Sequence, residues 1–254
     1  GADWPTIALN QQVRTLPEEF SSRGYVTGAF SSNASWIVPE HVGKGFLRFD
    51  AYIPEDIVRR TVVGRGMGFF TDKIKLHPAG RGKKAPVVIG EFLQFLDDYP
   101  GRPFFAYLCF MDVNRSLHAR WFNSYFLREA PPSEVFEGYK AGLRELDDHI
   151  GRLWEQLRSR RLLENTIVVI TSDHGQSFGR NVCQDHFPIG HGTSLYPEQT
   201  RVPLFVIYPP QVPAGRIVHA TVSLSSAAAT AWLLDPHTYD ERLDILSPYL
   251  FKEV

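Results

Sequence analysis

The sequence predicts an α/β fold: a mostly parallel central sheet with helices on both faces. Three observations carry that prediction. Residues 103–111 (PFFAYLCFM), 166–171 (TIVVIT) and 202–208 (VPLFVIY) are apolar runs of strand length, rich in β-branched and aromatic side chains, as expected of central strands buried on both faces. Between the first two lies a helical stretch over about 139–160, where Leu143, Leu146, Ile150, Leu153 and Leu157 recur at intervals of 3, 4, 3 and 4 and form one apolar stripe. A strand, a long helix and another apolar strand make a crossover unit, which calls for parallel pairing.

The remaining elements follow in chain order. Residues 16–23 (LPEEFSSR) predict a short helix, Gly24 stops it, and 25–30 (YVTGAF) form a further strand. Residues 86–98 predict a second helix with Val88, Phe92 and Phe95 on one side. The stretch 64–85 differs: GRGMG is followed by Lys73, Lys75, His77, Arg81, Lys83 and Lys84 with few apolar residues between them. It predicts a solvated loop or lid. GRGMG lacks the spacing and the Lys-Ser/Thr ending of a phosphate-binding loop. No internal repeat or linker divides the chain, so the expected organisation is one domain over 1–254.

With 254 residues and 43% hydrophobic content the chain can bury a core without disulfides. Its net charge of -1 provides no global field toward nucleic acid or an anionic membrane. No apolar run reaches the roughly 18 residues of a membrane helix. Cys109 and Cys183 are too few for a disulfide framework. The compartment stays open between periplasmic or extracellular and cytoplasmic. Asn33 and Asn114 begin N-x-S triplets, a pattern short enough to arise by chance.

Chemistry concentrates in TIVVITSDHGQSFG, where an apolar strand ends in Ser172, Asp173, His174 and Gly175. Ligands collect at the carboxyl ends of strands in open α/β sheets. A carboxylate beside an imidazole supplies a hard oxygen and a borderline nitrogen to a divalent ion, and the following glycine lets the backbone turn sharply. Local features leave a second reading open, in which Asp173 caps a following helix and His174 is a satisfied histidine. Downstream, Asp185, His186 and His191 lie in a polar, glycine-containing stretch, and Arg201 stands at the mouth of the next strand. They suit either a metal site or contacts to an anionic ester, and Arg201 equally suits a structural ion pair.

SDHG followed by HGTSLYPEQTRVPLFVIYP resembles the pattern of the sulfatases of the alkaline phosphatase superfamily, in which SDHG, a short loop, HG-x-SLY and RVPL occur in that order. PFFAYLCFMD is similar to the family's strand before its MDPH motif, TLPEEFSSRGYVTGAF resembles its TLAE and GY-T-AF segment, and PAGRIVHATVSL also fits, so the resemblance covers about 15–235 with loops excluded. It implies that Asp173 and His174 are metal ligands. It also implies that His191 meets the sulfate or phosphate oxygens; His186 and Arg201, from their positions in the sequence, are candidates for further substrate contacts. The implied ion is divalent: Ca²⁺ on the sulfatase reading, and Mn²⁺, Mg²⁺ or Zn²⁺ on the phosphotransferase one.

Three departures from the pattern bear on activity. The family's opening strand, with a metal-binding Asp and a nucleophile in C/S-x-P-x-R or an isolated Thr, has no match, and Asp3 follows no strand. The histidine after the MDP-like turn is replaced by Asn114, which donates a hydrogen bond but no proton. The aspartate of the family's VSLVDLAPT is absent from VSLSSAAAT. The expectation is a sulfuric ester hydrolase with His191 and Asn114 as catalytic residues, acting on a small-molecule or glycan ester. As given, the chain is expected to be inactive without an N-terminal segment supplied by the full-length protein or another chain. The alternatives are a phosphodiester or phosphonate hydrolase or phospho-headgroup transferase of the same superfamily, and a non-catalytic binding protein.

Overall fold

The computed structural model describes residues 12, 14–33, 37–51, 83–114, 132–178, 190–192 and 194–224. The chain divides into two compact units, Gly1–Ile150 and Gly151–Val254.

The first unit opens with helix α1 (Leu16–Ser22), nucleated by a capping box in which Thr15 and Glu18 satisfy each other's backbone N–H groups. Gly24, at φ +85°, turns the chain into strand β1 (Val26–Ser31). A short helix α2 (Pro39–Val42) leads to strand β2 (Arg48–Asp50). Helix α3 (Ala85–Asp98) and strand β3 (Phe104–Cys109) complete the layer. The sheet order is β2-β1-β3 with both pairings parallel, Phe30 lying opposite Asp50 on one side and Val26 opposite Phe104 on the other.

Helices cover both faces of this sheet, as two consecutive phenylalanines of β3 show. Neighbouring side chains on a strand point to opposite faces. Phe104 meets Phe92 of α3, with ring centroids 5.9 Å apart, whereas Phe105 stacks on Phe20 of α1 at 4.9 Å. Phe30 packs on the α3 face against Phe92 and Phe95. A Cβ on Gly28 would lie 2.8 Å from the Phe30 ring and 3.2 Å from that of Phe95, so this glycine makes room for the rings.

The structure corrects several expectations here. The strand buried along its whole length is β1, the centre of its sheet, whereas β3 leaves Tyr107 41% exposed. The small side chains of Thr27, Gly28, Ala29 and Ser31 let both helices approach closely, which hydrophobicity alone does not rank highly. Most of the expected loop over 64–85 lies outside the described residues, but its end is structured. Ala85 begins α3, and Lys83 is buried, its ammonium 2.7 Å from Glu91. Burial pushes the Glu91 carboxyl above its ordinary value, and Lys83 opposes that shift.

Helix α4 (Pro132–Ser159) starts well before the expected 139, at a proline suited to a first helical turn. Val135, Leu153 and Leu157 are buried. Gly138 and Gly142 are the inward positions in between, so Leu143 is 41% exposed despite its place in the expected stripe. Among the described residues no helix is long and apolar enough to cross a membrane.

The second unit holds strand β4 (Val168–Thr171), helix α5 (Pro197–Thr200) and strand β5 (Leu204–Ile207). β4 and β5 form an antiparallel pair, Val168 opposite Ile207 and Thr171 opposite Leu204. They are only partly covered, with Phe205 56% exposed, where the apolar runs predicted strands buried on both faces.

Candidate metal and ester site

The antiparallel register brings the end of β4 beside the start of β5, and one side-chain bond and several backbone bonds hold the segments together beyond the ladder. Thr171 Oγ1 donates to the Pro203 carbonyl at 2.8 Å. The Gly175 N–H donates to the Gln199 carbonyl at 2.8 Å and the Gln176 N–H to that of Glu198 at 2.7 Å. Ser177 and Gly190 exchange two backbone hydrogen bonds, of 2.8 and 3.1 Å. The SDHGQS segment is thereby fastened on one side to α5 and on the other to the stretch carrying His191.

Each residue of SDHG has a separate role in this arrangement. Ser172 Oγ donates to the His174 carbonyl at 2.9 Å and holds the turn. Asp173, with its side chain 85% exposed, accepts the His174 backbone N–H at Oδ1. His174 Nδ1 lies 2.8 Å from the Gly175 carbonyl oxygen. A carbonyl only accepts, so Nδ1 carries the proton and the neutral ring keeps its lone pair on Nε2, the tautomer that binds metals. No helix follows Asp173 in the described segment through Phe178, which removes the helix-capping reading.

Gly175 is required for a reason other than the sharp turn expected of it. It is not among the positive-φ glycines. A Cβ there would stand 2.0 Å from the Glu198 carbonyl oxygen, so the glycine permits α5 to press against the loop.

Asp173 Oδ1 and His174 Nε2 are 3.7 Å apart. One ion at about 2.0–2.2 Å from each donor spans that separation, so this pair fits two positions of a divalent site. Among the described residues no group of three or more His, Cys, Asp or Glu is arranged around an ion. His191, distant in sequence, joins the pair: its ring stacks on that of His174 with centroids 3.8 Å apart and planes at 25°. Its Nδ1 is 3.0 Å from Gln176 Oε1. Gln199, buried beneath the loop, accepts the Ser194 N–H at 3.3 Å and ties the HGTSLY stretch to α5.

Arg201 is exposed, three residues before the start of β5, its N–H bonded to the Pro197 carbonyl. Asp185 and His186 lie outside the described residues, as does Asp3. Asn114 belongs to the first unit, at the third residue of a helical turn after β3, and is half-buried. Two residues earlier, buried Asp112 accepts the Ala85 N–H at 3.0 Å and caps α3 from a distant point in the chain. The sequence reading missed Asp112, Gln176 and Gln199. The only available signal was that each is a polar residue inside or next to a motif.

A family model described as Sulfatase matches residues 3–234. The chain is 40% identical over 81 residues to an ulvan-active sulfatase of Formosa agariphila, covering 32% of this chain and 15% of that protein. It is 26% identical over 263 residues to the N-sulphoglucosamine sulphohydrolase of Homo sapiens, covering 89% of this chain and 45% of that one. Both matches span under half the length of the curated relative. Among solved structures, one in complex with its substrate D-glucosamine-2-N,6-O-disulfate aligns with a TM-score of 0.62 at 16% identity, over 97% of this chain and 66% of that one. That likeness establishes a shared fold.

Proposed function

Because this chain belongs to the sulfatase family, we propose that the protein hydrolyses sulfuric esters at a divalent-metal site to which Asp173 and His174 contribute. The observation that carries this reading is the SDHG turn: an exposed carboxylate oxygen and an imidazole nitrogen in its metal-binding tautomer stand 3.7 Å apart at the end of a strand. Asp173 and His174 would hold a divalent ion there, which when bound would neutralise ester oxygens and lower the pKa of an attacking group. Ca²⁺ is the ion the sulfatase resemblance favours, and the single imidazole also suits Mn²⁺, Mg²⁺ or Zn²⁺.

His191, stacked on His174, is assigned to the ester oxygens, with Arg201 and His186 as further anion contacts. Asn114 is assigned the hydrogen-bond donor role of the histidine it replaces, without its proton. No residue of this chain is assigned as the attacking group. The names of the curated relatives, which refer to ulvan and to N-sulphoglucosamine, support a sulfate carried on a saccharide.

The test uses the protein encoded by the whole reading frame containing this chain. Bound metal is measured by elemental analysis beside hydrolysis of an aryl sulfate and a bis-aryl phosphate. The expected result is one bound divalent ion and sulfate ester cleavage, both lost in Asp173→Ala. Cleavage of the phosphate ester alone would replace the reading by phosphodiester hydrolysis. Neither metal nor turnover would leave a binding protein built on a hydrolase fold.

A further inference from the structure

We infer that Gln176 is a positioning residue for His191: its side-chain amide fixes that histidine as the Nδ1-protonated tautomer, with the lone pair of the neutral ring on Nε2. The catalytic sense of this assignment rests on the hydrolase reading above, but its structural content does not. His191 is exposed and sits between Gly190 at φ +152° and Gly192 at φ +73°, so no helix or strand sets its direction. Side-chain contacts have to do so, and among the described residues they include two that bear on its ring nitrogens and plane. One is the stack on His174. The other is the 3.0 Å approach of Nδ1 to Gln176 Oε1.

The orientation of the Gln176 amide follows from its other partner. Its Nε2 faces the Ser177 carbonyl at 3.4 Å, and a carbonyl cannot donate, so the nitrogen end of the amide belongs there and the oxygen end belongs to His191. An acceptor oxygen at 3.0 Å calls for a proton on Nδ1. The backbone from which the amide extends is held in place, because the Gln176 N–H is bonded to the Glu198 carbonyl and the adjacent Ser177 is paired with Gly190. Both stacked imidazoles are thus protonated at Nδ1, His174 by a backbone carbonyl and His191 by Gln176. In its neutral form His191 then presents an acceptor at Nε2.

The experiment is long-range ¹H–¹⁵N correlation on imidazole-labelled protein at a pH where the rings are neutral, His191 being assigned by the loss of its signals in His191→Gln. Wild type is expected to show the Nδ1–H pattern at His191. Gln176→Glu, which keeps an acceptor oxygen, is expected to retain it. Gln176→Leu is expected to move His191 toward the Nε2–H form that neutral histidine prefers in water. An Nε2–H pattern in wild type overturns the assignment without any variant, so the test survives a Leu variant that fails to fold. Retention of Nδ1–H in a folded Gln176→Leu protein overturns it as well.

Turnover separates this inference from the reading beneath it. In the whole-frame enzyme kcat for the aryl sulfate is expected to fall at least tenfold in Gln176→Leu and to be restored in Gln176→Glu. The expected tautomers without any ester cleavage would sink the hydrolase reading alone. Cleavage with the opposite tautomer would sink the role of Gln176 alone.

Discussion

The two sheets among the described residues are built in different ways. The β2-β1-β3 sheet of the first unit has helices on both faces and a centre strand buried at every position. The β4-β5 pair of the second unit is half-covered, yet its end carries Asp173 and His174, with His191 stacked beside them. Dense apolar packing resists change of shape and gives little room for polar groups. A thinly covered strand end leaves carboxylate and imidazole groups exposed, and it relies on backbone bonds and glycine contacts for its shape. Substitutions should therefore act through stability in the first sheet and through local geometry in the second.

The largest effect that tests this contrast pairs two phenylalanines. Phe95 is fully buried among Phe30, Tyr99 and Gly28. Phe95→Ala removes that burial and leaves a cavity, a loss of about 3–5 kcal/mol. Phe205 is 56% exposed on β5, and Phe205→Ala should cost under about 0.5 kcal/mol, the usual range for a surface change. Urea denaturation of both variants checks the difference. Equal losses would mean that Phe205 on β5 is packed as densely as Phe95 between α3 and β1, and would break the comparison.

Gly175→Ala comes next. Its Cβ would stand 2.0 Å from the backbone oxygen of Glu198, which no rotamer change relieves, so α5 or the SDHG loop must move. Overpacking of this kind costs on the order of 3 kcal/mol at most when the neighbours can shift, and here the shift falls on the bonds that position His174. Loss of metal and ester turnover is expected at temperatures where circular dichroism still reports folded protein. Gly28→Ala, whose nearest atoms belong to aromatic rings instead of backbone, should lower the urea midpoint and leave turnover per folded molecule unchanged.

The same contrast explains what the sequence made legible. Strand positions, the Gly24 stop and the apolar side of α3 were readable because each rests on local pattern. The rank of the strands was not, because β1 achieves full burial with Thr27, Gly28, Ala29 and Ser31, while the more apolar β3 is partly open. Lys83 looked solvated among other basic residues, and its burial depends on Glu91 lying one helix face away. Asp173, His174 and His191 stand as candidate site residues on the sulfatase resemblance. That the two histidines stack, that Gln176 orients one of them, and that Gly175 answers to Glu198 all depend on contacts between distant segments, which no local pattern encodes.

Asp112 gives the smallest and most discriminating test, because it sits in a motif that the resemblance ties to chemistry while its contact is structural. Its carboxylate accepts the Ala85 N–H at the start of α3, a helix whose own N-cap residue, Lys84, makes no side-chain cap bond. Asp112→Ala leaves that donor without its acceptor in a buried place and should cost about 1–2 kcal/mol. Asp112→Asn keeps an acceptor oxygen and gives up only the charge at the positive end of the helix, a change of about 0.5 kcal/mol. Urea midpoints should therefore fall in the order wild type, Asn, Ala, with turnover per folded molecule unaltered in both variants. If Asp112→Asn instead kept its midpoint and lost turnover, the carboxylate would be acting on the ester and not on α3, and the separation of packing from chemistry would fail at the end of β3.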